Sequence, residues 1–378
     1  MSLRTSDIVV EYCARCAIDV LAVKCEARRG FMIAIAALIF SGAAPALSVI
    51  EPFIPWSVAA LLILSGTPYL GRHKYLELTS HFRVQYFIGA AVSLPICLAL
   101  ADWWSAAGAV LSAAVNLSAI VPWYIGKRLA DDGVPRRCLK VALANVDWKN
   151  RSHDPFLRCM ERHQPDVIVV QEVNDDWAHS LQALSATYPF FEVLPREDGS
   201  GIALYSRCPF ERLPFVSPEG DVRPGILVRL DFARRKVSLL SIHPRAPIRR
   251  GHFALRNDVL AAATIYARDL PDPKICVGDL NTSLWSPFYR DFANQAKLIN
   301  VRKGFGLLPS WPTFMGFKWL MIPIDHCLVS DDIRVIRVQT GERSGSDHLP
   351  LLVEMEINEP LQTSAPEGAV ERRDFRHR

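Results

Sequence analysis

The N-terminal third of the chain consists of long apolar runs that contain few charges. Four segments stand out, at residues 31–50, 52–70, 84–101 and 105–126. The charged residues between positions 31 and 126 are Glu51, Arg72, Lys74, Glu77, Arg83 and Asp102. A hydrocarbon core about 30 Å thick needs roughly 20 apolar residues in a helix, and each segment is that long or nearly so. We therefore predict three or four transmembrane helices within residues 31–126. Buried helices of a soluble core are the alternative interpretation.

The first apolar segment has two interpretations. Arg28 and Arg29 precede it and the small residues Ala44 and Ala46 lie near its end, a pattern that is typical of a signal sequence. Signal sequences begin near the N-terminus, however, whereas an extension of residues 1–30 precedes this run. A retained helix is the other interpretation.

From residue 138 onward, short apolar runs alternate with amphipathic helical patterns. Runs at 138–146 and 166–173 predict strands, and Asp154 followed by Pro155 predicts the start of a helix that ends near His163. Further strands are predicted at 190–195, 201–206, 226–232, 236–243, 274–281, 323–330, 333–340 and 351–357, and a helix at about 248–269. Many strands with a few intervening helices predict two packed sheets flanked by helices. We assign residues 127–137 to a linker, 138–357 to a strand-rich domain and 358–378 to a disordered tail.

Basic residues and cysteines predict the location of the strand-rich domain. Arg72, Lys74 and Arg83 flank the apolar segments, as do the basic residues after position 126, while the loops near Glu51 and Asp102 contain no Lys or Arg. The positive-inside rule then predicts a multi-pass protein of the inner membrane with the strand-rich domain in the cytoplasm. The odd number of nine cysteines, of which the five after position 137 have no paired spacing, agrees with a reducing compartment. The net charge of +4 is too small to indicate a nucleic-acid partner by itself.

Polar side chains lie at or near the ends of six of the predicted strands. They are Asn145 and Asp147, Gln171 and Glu172, His243, Asp279 and Asn281, Asp325 and His326, and Asp347 and His348. Such groups are costly directly after buried apolar runs unless they are paired or bind a metal. One of them could be a turn residue, but six sets indicate a common edge where a site is assembled.

The residue types at these strand ends favour metal-assisted hydrolysis of a phosphate ester. Carboxylates with amide oxygens and without matching cysteines favour Mg²⁺ or Mn²⁺ over zinc. The chain has no Walker loop, no G-x-G-x-x-G after a strand and no G-x-S-x-G elbow. Histidines beside carboxylates can be held protonated to interact with a phosphoryl group, and an Asp near an Asn can orient a water molecule.

Seven short motifs occur in the order that is typical of the endonuclease/exonuclease/phosphatase superfamily, which the chain resembles over residues 138–357. The motifs are ANVD, VIVVQEV, SGIALYSRCPF, SIHP, GDLN, PIDHCLVS and GSDHLPLLVEM. The resemblance implies a four-layer α/β (α+β) sandwich, preceded here by the multi-helix transmembrane anchor. The anchor with SHFRVQY at 80–86 is also similar to bacterial membrane-bound members of that superfamily.

The resemblance also implies a role for each strand-end residue. Glu172 matches the principal metal ligand, with Asn145, Asp147 and Asp347 near the metal. Asp279 matches the residue that orients or deprotonates the attacking water. The phosphate would be contacted by His243, Asn281 and His348, and Asp325 would orient His348. His326 should point to the other face of its strand and be structural.

The substrate is left open by the sequence. A membrane-anchored, Mg²⁺- or Mn²⁺-dependent phosphodiester hydrolase of the nuclease type is the first prediction. Arg245, Arg249, Arg250 and Arg256 could contact phosphates in that case, or could form a solvated helix face. A lipid head group is the alternative substrate, through a phospholipid or sphingolipid phosphodiesterase or a phosphoinositide phosphatase. A non-catalytic membrane scaffold is a third hypothesis. Membrane lipid is the expected partner, and no motif indicates a protein partner.

Overall fold

The computed structural model describes residues 50–126, apart from residue 71, and residues 134–359. The predictions for the N-terminal extension, for nearly all of the first apolar segment, for most of the linker and for the tail lie outside the described residues.

The described N-terminal part is a compact group of helices, which we call the helical region (residues 50–126). It contains α1 (Ile54–Gly66), α2 (Lys74–Leu78), α3 (Arg83–Ala99) and α4 (Trp103–Ile120). Pro55 lies in the first turn of α1, and the Asp102 side chain caps α4 by accepting a hydrogen bond from the Ser105 N–H at 3.1 Å. Helices α1, α3 and α4 pack around small and apolar side chains such as Val58, Cys97 and Ala109.

Two helical stretches of the described residues are long and apolar enough to cross a membrane, judged by length and composition. They are Lys74–Ala99, which includes α2 and α3, and Trp103–Trp123, which includes α4. These correspond to the third and fourth predicted segments. The second predicted segment contains α1, whose 13 residues extend only about 20 Å at 1.5 Å per residue.

The C-terminal part, which we call the catalytic part (residues 134–359), is built on two six-stranded sheets. Sheet A has the order β11-β12-β1-β2-β4-β3, and sheet B has the order β5-β6-β7-β8-β10-β9. The strands of sheet A are β1 (Arg136–Asn145), β2 (Val167–Gln171), β3 (Phe190–Leu194), β4 (Ile202–Ser206), β11 (Arg334–Thr340) and β12 (Leu351–Asn358). Those of sheet B are β5 (Phe210–Leu213), β6 (Ile226–Phe232), β7 (Arg235–Ser241), β8 (Lys274–Asp279), β9 (Ile299–Asn300) and β10 (Asp325–Val329). In each sheet one central pair is parallel, β1 with β2 and β7 with β8, and the other pairs are antiparallel.

The two sheets pack face to face with helices on both outer faces, which confirms the predicted pair of mixed sheets flanked by helices. Apolar side chains that alternate along the strands, such as Val141, Val169 and Val228, fill the space between the sheets. Helices α5 (Asp154–His163) and α6 (Asp175–Leu181) cover sheet A, and α7 (His252–Asp269) and α8 (Pro287–Gln295) cover sheet B.

Several elements differ from the prediction. Strand β1 begins at Arg136 rather than at 138, so the end of the predicted linker pairs with β12, which continues to Asn358. Helices α6 and α8 and the strands β5 and β9 were not predicted, because each is too short to show a clear period. Their start signals are nevertheless present, since Asn174 caps α6 and Ser286 caps α8, before a first-turn proline.

The helical region packs against the sheet B side of the catalytic part. Ile120 of α4 is buried in the same apolar cluster as Leu260 of α7. Ala119 accepts a hydrogen bond from the Trp285 indole at 2.9 Å, and the Trp123 carbonyl accepts hydrogen bonds from Gly304 and Gly306 at 2.9 and 3.0 Å. The contact is therefore formed by both apolar packing and backbone hydrogen bonds.

Candidate active site

The strand pairing brings the predicted polar residues to one edge of the two sheets. In the parallel pair β1 and β2, Asn145 lies opposite Gln171, so that Asn145 and Glu172 leave the sheet at the same edge. In the antiparallel pair β8 and β10, Asp279 lies directly opposite Asp325. Facing positions in adjacent strands are close enough for side chains to interact, so two carboxylates meet at this point.

Asn145 connects the two sheets at the centre of this cluster. Its Nδ2 donates hydrogen bonds to Glu172 Oε1 at 2.9 Å and to Asp279 Oδ2 at 3.2 Å, and lies 3.5 Å from His348 Nε2. Glu172 also accepts a hydrogen bond from the Trp148 N–H at 3.4 Å. Burial is the largest influence on Glu172 and raises the pKa of its carboxyl group.

Asp325 and His348 form a buried ion pair. Asp325 Oδ2 lies 2.8 Å from His348 Nδ1. Burial alone would lower the pKa of His348, but the charge and hydrogen bond of Asp325 raise it to about 10. Burial would raise the pKa of Asp325, yet the charge of His348 outweighs it and the pKa lies below the ordinary value. At neutral pH the pair is therefore a carboxylate and an imidazolium.

Asp279 lies between the two histidines of the cluster. Its Oδ2 is 3.8 Å from His348 Nε2 and 3.7 Å from His243 Nε2, and its Oδ1 accepts a hydrogen bond from the Asn281 N–H at 2.9 Å. Burial, followed by the negative charge of Asp325, raises the pKa of Asp279 to about 7. A carboxyl group with that pKa can accept a proton near neutral pH.

His243 is buried and uncharged. Its Nε2 lies 3.9 Å from Glu172 Oε1, and its Nδ1 has no hydrogen-bond partner among the described residues. Burial, followed by the positive charges of Arg223 and His348, lowers the pKa of His243 well below its ordinary value. The cluster thus contains one charged and one neutral imidazole.

Three of the cluster's residues have left-handed backbone conformations that non-glycine residues rarely adopt. The φ angles are +64° at Glu172, +56° at Asp147 and +49° at Asn281. Each of these residues directly follows a strand or lies within two residues of its end, so the turn directs the side chain into the cluster. Asn281 is further fixed by its Nδ2, which donates to the Pro244 carbonyl at 3.0 Å.

Asp147 and Asp347 lie at the border of the cluster. The Asp147 carboxylate accepts a hydrogen bond from the Lys149 N–H at 3.0 Å and so closes its own turn. Asp347 Oδ2 accepts a hydrogen bond from the Trp311 indole at 2.8 Å, and its Oδ1 lies 3.9 Å from His348 Nε2. Neither carboxylate is buried, unlike those of Asp279 and Asp325.

The sequence analysis assigned no role to three residues that hold the cluster in place. Gln171 links the sheets, because its Nε2 donates to the Ile242 carbonyl at 2.9 Å and its Oε1 accepts from the Asp279 N–H at 2.7 Å. Ser346 donates to the Asn145 carbonyl at 2.7 Å. Arg223 donates to the His243 carbonyl at 2.8 Å. Gln171 and Ser346 stand inside the quoted motifs and could have been found there, whereas no motif marks Arg223.

Arg256 was interpreted either as a phosphate contact or as part of a solvated helix face, and both interpretations were wrong. Its side chain is fully buried and forms an ion pair with Glu77 of α2 at 3.0 Å. Arg245 pairs with Glu219. His326 lies away from Asp325, as strand alternation predicts, and contacts Asn300 and the Thr282 carbonyl at 3.1 and 2.8 Å.

The charge balance of the cluster fits a divalent cation. Buried carboxyl groups at Asp279 and Asp325, with the partly buried Glu172 and Asp347 beside them, face a single imidazolium at His348. Ligand atoms of Asp279, Asp325 and His348 lie within 4.8 Å of one another. Because His348 is protonated on both nitrogens, however, it has no lone pair to offer, and this trio is an ion-paired group. Glu172 has no cationic partner of its own among the described residues. It is therefore the carboxylate whose charge a bound metal ion would neutralise.

Comparison with known proteins agrees with this geometry. The family model described as "Endonuclease/Exonuclease/phosphatase family" matches residues 142–348, more than half of the chain and all of the cluster. No curated protein matches the chain.

Solved structures with a similar fold cover the catalytic part. The D. rerio TDP2 structure in complex with a single-strand DNA product is 15% identical, with a TM-score of 0.49 over 58% of this chain and 98% of its own. A Bacteroides thetaiotaomicron mannosyl-6-phosphatase is 18% identical, with a TM-score of 0.45 over 57% of this chain and 99% of its own. The chain belongs to the endonuclease/exonuclease/phosphatase family, whose members are hydrolases that act on phosphoester bonds.

Proposed function

We propose that this protein is a membrane-anchored phosphodiesterase that depends on Mg²⁺ or Mn²⁺. The observation that carries the proposal is the position of Asp279, a carboxyl group with a pKa of about 7 between a neutral and a charged imidazole. A base, a hydrogen-bonding imidazole and an imidazolium around one point are the groups that water attack on a phosphodiester needs.

In this proposal Glu172 is the principal metal ligand, with Asn145 and Asp347 completing the protein's donor set and Asp147 nearby. The bound ion would neutralise charge on the phosphate oxygens. Asp279 accepts a proton from the attacking water. His348, kept charged by Asp325, donates a hydrogen bond to a phosphate oxygen, and Asn281 and His243 hold the phosphate.

One observation favours a lipid head group over nucleic acid as substrate. An apolar loop, defined here as residues 313–320, exposes Phe314, Phe317 and Trp319. At one end of this loop the Thr313 N–H donates to the Asp347 carbonyl at 2.9 Å, and near the other the Trp319 carbonyl accepts a hydrogen bond from Gln85 of α3 at 3.0 Å. The loop thus joins the border of the cluster to an apolar helix, where exposed aromatic rings are suited to a membrane interface.

The membrane location is part of the proposal. It is supported by the two apolar helical stretches, by their exposed apolar side chains such as Trp104 and Leu111, and by the basic residues Arg72 and Lys74 near the catalytic part. We propose a multi-pass inner-membrane protein whose catalytic part faces the cytoplasm.

The test is a substrate panel on the full-length protein in detergent micelles. Duplex DNA, abasic DNA, RNA, sphingomyelin, phosphatidylglycerol, phosphoinositides and a soluble aryl phosphodiester are assayed with Mg²⁺, with Mn²⁺ and with EDTA, and Asp279→Asn serves as the blank. We expect metal-dependent hydrolysis that EDTA abolishes. Equal turnover by the native protein and by Asp279→Asn, or full activity in EDTA, would contradict the proposal and favour a scaffold or another chemistry.

The apolar loop separates the two substrate classes. Phe314→Ser with Phe317→Ser should reduce hydrolysis of lipid while leaving hydrolysis of the soluble aryl phosphodiester unchanged. Val216→Ser, which alters another exposed apolar side chain, is the matched control. If DNA is cleaved and lipids are not, and the loop variant is fully active, the lipid assignment is wrong and the nuclease assignment stands.

A further inference from the structure

A cleft of about 430 Å³ lies between the helical region and the outer side of sheet B. The helical region contributes Tyr69, Arg83 and Trp123 to its lining, and the catalytic part contributes Trp285, Arg290 and Lys303. No residue of the active-site cluster lines this cleft. It is therefore a separate feature with its own chemistry.

Arg83 is a buried cation whose surroundings in the described structure are uncharged or positive. Its side chain is about 2% exposed. Its Nη1 donates to the Ser65 carbonyl at 2.8 Å and to Asn116 Oδ1 at 3.3 Å, and its guanidinium lies over the Tyr69 ring at 4.8 Å. Its Nε has no hydrogen-bond partner among the described residues. A buried charge without a counter-ion costs several kcal/mol or more, so an anion at this position would be stabilising.

The rest of the lining adds positive charge and no negative charge. Arg290 and Lys303 are exposed on the catalytic side of the cleft, and the lining contains no Asp or Glu. The Lys303 ammonium lies over the Trp123 ring at 5.7 Å. Three cations and several aromatic rings around one opening form a site for an anionic group that carries an apolar part.

We propose that this cleft binds the phosphate of an anionic phospholipid head group, with Arg83 at its buried end and Arg290 and Lys303 on the opposite wall. The cleft lies beside the last turn of α4 and the start of α3, where acyl chains could follow the exposed apolar helix surfaces. The choice of a lipid over free phosphate rests on the proposed membrane location, whereas the anion site itself rests only on the residues that line the cleft.

The test measures binding and needs no catalytic activity. Full-length protein carrying Asp279→Asn, in a zwitterionic detergent, is titrated calorimetrically with short-chain phosphatidylglycerol, short-chain phosphatidylcholine and inorganic phosphate. We expect phosphatidylglycerol to bind more tightly than the other two. Arg290→Gln with Lys303→Gln should weaken that binding at least about tenfold, which corresponds to the loss of one charge-assisted hydrogen bond. Arg83→Gln should weaken it further.

Because Arg83 is buried and its variant can fail to fold, the variant of the two exposed residues decides the outcome. The matched control is Arg158→Gln with Lys236→Gln, which removes the same charge from exposed positions that do not line the cleft. Equal phosphatidylglycerol affinity in the native protein and in the cleft variant would overturn the site. Equal affinity for inorganic phosphate and phosphatidylglycerol, both lost in the cleft variant, would overturn the lipid assignment and identify free phosphate as the ligand. Neither result depends on whether the active site hydrolyses a phosphodiester.

Discussion

At the scale of single residues, Asp325 makes the largest contribution to keeping His348 charged. The two groups share a hydrogen bond of 2.8 Å inside the protein, where a charge pair is screened less than in water. The imidazole of His243, which has no such carboxylate partner at hydrogen-bond distance, is neutral. The two imidazole groups of the cluster therefore differ in protonation: His348 is charged and His243 is neutral.

The first prediction is a change in pH dependence when Asp325 is replaced. The proposed role of His348 requires its protonated form, so the rate of the native protein should hold at alkaline pH and fall only near the pKa of about 10. In Asp325→Asn the pKa of His348 should fall, and the alkaline loss of activity should move to lower pH. The pH profile of kcat/KM measures this. Asp332→Asn, a carboxylate outside the cluster, is the control, and an unshifted alkaline limb in Asp325→Asn would reject the pairing.

How much of the site could be predicted depends on how each residue reaches it. Glu172 directly follows β2 and Asp279 is the last residue of β8, so an apolar run followed by a polar residue was sufficient to find them. Trp311 and Arg223 reach the cluster from loops, through contacts with Asp347 and with the backbone of His243. Contacts of that kind depend on the three-dimensional course of the chain and leave no periodic signal in the sequence.

At the scale of elements, strand β8 approaches its neighbours so closely that it has no room for a side chain at Gly278. A Cβ atom at this position would lie 1.9 Å from the Ile242 carbonyl oxygen and 2.9 Å from Gln171 Nε2. This close approach lets Gln171 bond both to Ile242, which directly follows β7, and to Asp279 of β8, and it places Asp279 at the sheet edge.

The second prediction follows from that contact. Gly278→Ala should lower the free energy of unfolding by about 1–3 kcal/mol or more, because backbone and Gln171 must move apart. Activity should fall with it, since Asp279 is the next residue. Denaturant unfolding of the full-length protein measures the change. Gly66→Ala, at a position with nothing within 4 Å of the added carbon, is the control and should change stability little.

A buried ion pair joins helix α2 to helix α7, and both of its side chains also form hydrogen bonds with the loop that follows Asp279. Arg256 Nη1 lies 3.0 Å from Glu77 Oε1 and donates to the Asn281 carbonyl at 3.2 Å, while Thr282 Oγ1 donates to Glu77 at 3.1 Å. His81 Nδ1 lies 2.8 Å from Ser283 Oγ. The sequence showed Glu77 only as a charge between apolar segments, because its partner is far away along the chain.

The third prediction tests this ion pair. Glu77→Gln leaves a buried guanidinium without its anionic partner and should lower the free energy of unfolding by about 3–5 kcal/mol. Glu77→Gln with Arg256→Gln should cost less than the sum of the two single changes, because each single variant leaves an unpaired buried charge. Glu51→Gln, at an exposed site, is the control. Additive losses would show that the two side chains are not coupled.

At the scale of the whole molecule, the helical region and the catalytic part share an apolar core and an extensive hydrogen-bonded contact. Three of the four predicted apolar segments lie within the described residues, and each contains a helix, while the short strand patterns predicted the two sheets. These patterns could not predict that α2 and the end of α4 pack against the sheet B side of the catalytic part. That contact is made by residues that belong to different periodic patterns, namely Glu77, Arg256, Ala119 and Trp123.

The fourth prediction concerns membrane topology. Basic residues such as Arg72 and Lys74 lie at the end of the helical region that contacts the catalytic part, through Asp291 and the Ile248 carbonyl. A fusion of green fluorescent protein after the last residue should therefore fluoresce, and the matching alkaline phosphatase fusion should be inactive. The reverse pattern would place the catalytic part outside the cytoplasm.

The central claim is that Glu172 binds the metal ion and Asp279 activates water, and one pair of variants tests it most directly. Manganese binding by calorimetry and turnover of a phosphodiester are measured on the same full-length preparations. Asp279→Asn should bind Mn²⁺ nearly as the native protein does, while its rate falls by at least about 10²-fold. Glu172→Gln should lose metal affinity and activity together. Native activity in both variants, or loss of metal binding in Asp279→Asn with retention in Glu172→Gln, would contradict the assignment.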